Sequence, residues 1–221
     1  MDSEWPQIYN YNDTSDLVYI FFGILTLDVI VLFLARYYKV GGKYLNEWYD
    51  QFNVLAVLAD VMIIFIGFLI TRFIYTNYMF ERFEYSLVYF LALLVAVQAV
   101  HDIFFYKGII QPIPTGQNEM MDVFKKYAED LGAIVIGGDA LLMIGSALIA
   151  IFYKYIPSHA FVSISSLFVY ALPYILFTRN PFSVEESKKK DDLEKEKNKT
   201  TPQQNFENAS SQKIDAYNRM V

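Results

Sequence analysis

Five apolar stretches, separated by short polar ones, run along most of the chain: residues 17–35, 54–75, 85–106, 131–153 and 158–177. Each is 19 to 23 residues long, and a helix needs about 20 apolar residues to cross a hydrocarbon core. None alternates with period two, as a barrel strand would. Backbone in contact with lipid must satisfy its own hydrogen bonds, so each run is expected to be a helix. The pattern therefore predicts an all-α integral membrane protein. Its parts are an external N-terminal segment (residues 1–16), a five-span helical bundle (17–177) and a C-terminal tail.

Two polar stretches are informative. Residues 111–116 hold two prolines and a glycine and cannot continue a helix. After them Asn118 is a candidate helix cap. Met120, Met121, Phe124, Tyr127 and Leu131 then recur at helical spacing, opposite Asp122, Lys125, Lys126, Glu129 and Asp130. This predicts an interfacial amphipathic helix over 118–130; the alternative is a simple extension of the fourth span. Residues 36–53 read as a loop. Trp48, Met120, Phe124 and Tyr127 are the expected contacts with protein partners. The tail, 183–221, is too polar to bury a core and is expected to be disordered, with transient helix within 185–197. It is either a docking or solubilising tail or a spacer.

Composition sharpens the class. Apolar residues are 55 % of the chain and charged residues only 19 %, against about 25 % in soluble domains. Of 42 charged side chains, 17 lie in the last 44 residues. An ordinary cytosolic enzyme, a disordered protein and a coiled coil are thereby excluded. Cysteine is absent, which removes disulfides and thiolate chemistry. The net charge of −6 disfavours nucleic acid. The first 16 residues are acidic with no Lys or Arg, unlike a signal peptide. Counts of Lys and Arg in successive connections run 0, 3, 2, 3, 1 and 9. The positive-inside rule then puts the N-terminus outside and the tail in the cytoplasm. Aromatic residues, from Trp5 and Tyr9 to Tyr153 and Tyr155, cluster near the predicted span ends.

The candidate chemistry lies inside the spans. Asp28, Asp60, the pair His101 and Asp102, and Asp139 sit in the first four runs. A charged residue at a helix centre costs roughly 2.5–3.5 kcal/mol on insertion scales. The acids lie 7, 6, 4 and 8 residues from the inner ends of their spans. At about 1.5 Å per residue this is roughly 6–12 Å deep, always in the inner half. Four helices running alternately up and down thus place an acid at one level, with Gln98 one turn from His101 and Asp102. Facing inward, they form a polar layer. One reading is structural: acids that hydrogen-bond across helices or pair with Arg36, Lys39 or Lys107. The other is proton or cation handling, because clustered carboxylates repel and share protons and His101 can relay them. The fifth span, without an acid, is expected at the periphery.

No enzyme motif is present. Intramembrane aspartyl proteases carry Gly-x-Gly-Asp and a Tyr-Asp pair within spans. Here the first reads Ile136-Gly-Gly-Asp139 and Tyr49-Asp50 falls in a loop, so the match fails twice. No metal motif, Gly-x-Ser-x-Gly elbow or P-loop occurs, and no span holds a lysine for a Schiff base. No cofactor and no metal are expected.

The segments Gly41-Gly-Lys-Tyr-Leu-Asn-Glu-Trp-Tyr-Asp-Gln51, Val97-Gln-Ala-Val-His-Asp102 and Asn118-Glu-Met-Met-Asp-Val-Phe-Lys-Lys-Tyr-Ala128 resemble a family of multi-pass membrane proteins of nucleocytoplasmic large DNA viruses. The resemblance covers roughly residues 15 to 155. It implies a structural protein of the inner virion membrane beneath the capsid, with the bilayer, capsid or other membrane proteins, and a second copy as partners. It carries no functional residues. The expected function is therefore structural, organising or anchoring a membrane; the alternative is a small proton or cation channel or transporter built on the carboxylate layer.

Overall fold

A computed structural model describes residues 6–132, 134–190 and 192–193. The described residues are helical, with no strand. The chain divides into two units, Met1–Thr178 and Arg179–Val221.

The first unit holds eight helices: α1 (Asp16–Tyr38), α2 (Gly42–Phe52), α3 (Val54–Ile74), α4 (Phe80–Phe83), α5 (Leu87–Phe105), α6 (Glu119–Leu131), α7 (Ile134–Tyr155) and α8 (Ser158–Leu176). A π-helical turn, Tyr75–Met79, joins α3 to α4, and another, Tyr106–Ile110, extends α5. Five helices are long and apolar enough to cross a membrane, and they correspond to the five apolar runs. They are apolar on all sides, and large side chains such as Val88, Phe104, Leu141 and Leu167 stay exposed. That is the distribution of a helix whose outer face meets lipid.

The four acid-bearing helices form a ring. α1 packs on α3 and α7, and α5 packs on the same two. The closest approach is between α1 and α7. A Cβ on Gly23 would lie 2.9 Å from the backbone of both Ser146 and Ala150. Small residues at this crossing let the two backbones meet. Thr26 and the Tyr153 hydroxyl share a 2.7 Å hydrogen bond across the same interface. α8 lies outside the ring against α1 and α7, and Phe161 packs against Tyr19, Phe22 and Tyr153.

α2 and α6 pack on one another across one end of the ring. Trp48 rests on Phe124 with ring centroids 4.7 Å apart. Glu47 pairs with Lys126 at 3.4 Å. The Asn118 side chain caps α6 by accepting from the Met121 N–H at 3.2 Å, as its sequence position suggests. We call this the cap end. Buried Arg36 fastens it by donating to Asn46 Oδ1 at 3.0 Å and Leu176 O at 3.2 Å and by pairing with Asp50 at 2.7 Å.

The structure departs from the sequence reading in three places. Residues 36–53 are not an open loop, because most of them form α2. The fourth long helix begins at Ile134 rather than 131, because Gly132 adopts φ 55° and breaks the chain from α6. In the second unit, residues 181–190 are helical, so the described start of the tail is ordered where disorder was expected. The remainder of that expectation, residues 194–221, and the aromatic anchor Trp5 lie outside the described residues.

Candidate functional site

Helices α1, α3, α5 and α7 each bring an acid to the cap half of the ring. Asp28 on α1 is buried, and its Oδ1 accepts from the Tyr49 hydroxyl at 3.3 Å. Asp60 on α3 accepts at Oδ2 from the Trp48 indole N–H at 3.0 Å, and the Tyr49 hydroxyl also reaches it. One phenol from α2 thus bridges two helices. On α5, Asp102 Oδ1 accepts from the buried Gln98 amide at 2.7 Å and meets His101 Nδ1 at 3.2 Å. On α7, Asp139 interacts with Asp102 and Asp60, and Asp28 interacts with Asp60. The structure therefore brings together Asp28, Asp60, Gln98, His101, Asp102 and Asp139.

The partners of these carboxyls are an indole, a phenol, an amide, an imidazole and one another. None is a guanidinium or an ammonium. The second oxygens of Asp28 and Asp102 are buried and accept no hydrogen bond. A buried carboxylate oxygen without a donor is costly when ionised and is comfortable when it carries a proton.

The cap supplies the rest of the site. Trp48 is 4 % exposed. Met120, Phe124 and Tyr127 are half-buried against the core. These four residues, expected at partner contacts, are used inside the chain: Trp48 on Asp60, and Phe124 on Trp48. Burial, with the charges of Asp139 and Asp60 adding to it, pushes the Tyr127 phenol up to about 12. Burial beside Asp28 and Asp60 also raises Tyr49 well above its ordinary value. Both phenols are donors at physiological pH, aimed at the acids they cover.

A second polar cluster, not singled out in the sequence, lies at the other end. Asp16, at the start of α1, is buried and pairs with Lys154 of α7 at 2.5 Å and with Arg72 of α3 at 3.5 Å. Arg72 is fully buried. It donates to the backbone carbonyls of Asn10 and of Asp13, the latter at 2.6 Å. Lys154 donates to Gln7 O at 2.8 Å. Residues 6–14 are thereby strapped across this end, where Tyr9 also stacks on Phe80 and Tyr85. The available signal was a charge at the same end of three successive acid-bearing runs. Read as connections, those charges served only to orient the chain.

No family of known proteins matches this chain, and neither a curated protein nor a solved structure is similar to it.

Proposed function

We propose that the protein spans a membrane with its five long helices and moves protons through the carboxyl cluster of α1, α3, α5 and α7. One observation carries the reading: four carboxyls from four different helices converge, and their partners are neutral donors rather than cations. Acids kept only to hold helices together are best served by a basic partner, because an unpaired buried charge is expensive. Here the same chain builds such a pair at the opposite end and withholds it from the cluster. Carboxyls linked through Tyr49, Gln98 and His101 are groups between which a proton can step. No three His, Cys, Asp or Glu side chains among the described residues are grouped as metal ligands, so the geometry suits a proton better than a divalent ion. By the positive-inside rule, the cap end faces the cytoplasm.

The test is infrared spectroscopy of the reconstituted protein during pH titration. A carboxyl C=O absorption that follows bulk pH, and that Asp60→Asn or Asp139→Asn diminishes, supports the proposal. A spectrum in which neither variant changes that absorption contradicts it.

The second reading is structural, a bundle that organises or anchors a membrane, as the viral resemblance implies. The strap-end cluster favours it, because Asp16, Arg72 and Lys154 fasten three helices and the N-terminal segment at once.

A further inference from the structure

The two joints between cap helices and long helices are the same. α2 ends at Phe52, Asn53 takes φ 51° and ψ −126°, and α3 begins. α6 ends at Leu131, Gly132 takes φ 55° and ψ −129°, and α7 follows. Glycine reaches this backbone region easily and other residues rarely do. The hydrogen bonds also repeat. The Asn53 N–H donates to Tyr49 O at 3.0 Å and the Gly132 N–H to Ala128 O at 2.9 Å. The Ala56 N–H donates to Asn53 O at 3.1 Å and the Val135 N–H to Gly132 O at 3.3 Å. Every one of these pairs is offset by 79 residues.

The side chains follow the same offset. Seven residues after each joint stands an acid, Asp60 or Asp139. Five residues before it stands an aromatic, Trp48 or Tyr127. The preceding long helices, α1 and α5, carry Asp28 and Asp102. Each of these is followed fourteen residues later by a glycine with positive φ, Gly42 at 76° and Gly116 at 88°. The ring order α1, α3, α5, α7 is unchanged when α1 exchanges with α5 and α3 with α7. Two residues that are each other's equivalents then meet at the centre: Glu47 pairs with Lys126, and Asp60 interacts with Asp139.

From this we infer that α1–α3 and α5–α7 are two copies of one helix–cap–helix unit related by a half-turn along the bundle. We infer further that the paired cap helices are a gate over the carboxyls, closed by the equivalent residues Trp48 and Tyr127. Sites at the interface between repeats are the usual arrangement in transporters. Each cap helix hangs on one residue of unusual backbone conformation, so rotation at Asn53 and Gly132 swings it off its acid. Each cap residue covers the acid of its own copy: Trp48 donates to Asp60, and Tyr127 lies beside Asp139. As a route for protons, the gate rests on the function proposed above; as a device that covers and uncovers Asp60 and Asp139, it does not.

The chain has no cysteine, so Glu47→Cys/Lys126→Cys gives a single pair to tie with a short bifunctional thiosulfonate. The readout is labelling of Asp60 and Asp139 by a water-soluble carbodiimide and an amine, scored by mass spectrometry in full-length reconstituted protein. Tying the caps should cut labelling of both acids at least tenfold, and reductant should restore it. In the untied chain, Trp48→Ala should raise labelling mainly at Asp60 and Tyr127→Ala mainly at Asp139. Labelling that is the same tied and untied overturns the gate, and so does a Trp48→Ala effect that falls on both acids alike. Gated labelling in a protein that moves no protons retains the gate and removes the proton reading.

Discussion

The two ends of the helix ring hold two kinds of buried acid. At the strap end Asp16 meets a guanidinium and an ammonium, and both cations also bind backbone carbonyls of residues 6–14. At the cap end four carboxyls meet neutral donors and each other. The first arrangement is balanced in charge and suits a permanent fastening. The second leaves charge to be settled by protons, and suits a site that changes state. The same helices, α1, α3 and α7, carry both, so the difference lies in the partners and not in the scaffold.

The sharpest way to break that comparison is to remove one partner at each end. Arg72→Ala leaves Asp16 buried with only Lys154, and breaking a buried pair costs about 3–5 kcal/mol. We expect that loss in unfolding titrations in mixed micelles. Asp60→Asn keeps the shape and the hydrogen-bond capacity of the side chain, and should change stability by about 1 kcal/mol or less. Equal losses would erase the distinction between fastening and site.

The next effect concerns the ring itself. Gly23→Ala drives a methyl group into the backbone of α7 and should cost ~1–3 kcal/mol as overpacking. Gly67→Ala meets only the flexible end of Met143 at 2.9 Å, and should fall at or below the bottom of that range. A reversed order, measured in the same titration, would mean that α1 and α7 are not in backbone contact.

Smaller again is Tyr49→Phe. It removes the hydroxyl that bridges Asp28 and Asp60, for about 1 kcal/mol. Thr26→Val, which removes the bond to Tyr153, should cost about 0.6 kcal/mol, the average for such bonds between membrane helices.

The smallest effect is alkaline. Tyrosine in the unfolded chain ionises near about 10, whereas Tyr127 is held up to about 12 and Tyr49 is also raised. Above pH 10 or so the unfolded chain therefore loses protons that the folded chain keeps, and stability falls until the folded phenols ionise in turn. Tyr127→Phe should flatten that fall in stability measured from about pH 9 to pH 12.

Much of this architecture is legible in the sequence because lipid imposes a length. Twenty apolar residues in a row admit few structures, and the five runs match the five long helices to within a few residues. The level of the four acids follows from counting residues along alternating helices, which needs no tertiary information. The Asn118 cap is equally local. What was not legible depends on three-dimensional pairing. α2 holds Gly41, Gly42 and Asn46, so its residues read as a loop until packing on α6 selects helix. Trp48 and Phe124 look like partner contacts because one sequence cannot say that its two amphipathic helices face each other. Asp16, Arg72 and Lys154 are far apart in the chain, and only antiparallel packing joins them. The repeat was hidden because its copies share spacing rather than residue identity: Trp48 for Tyr127, Asn53 for Gly132.

The most direct test of the central claim is proton flux. The protein is reconstituted into vesicles containing a pH-sensitive dye, and a potassium diffusion potential is applied. We predict acidification in the wild type, its loss in Asp60→Asn and in Asp139→Asn, and its retention in Thr26→Val. Vesicles whose pH follows the same course with the wild type, with either Asn variant and with no protein would contradict the account, and would leave the carboxyl cluster as a fastening like the one at the opposite end.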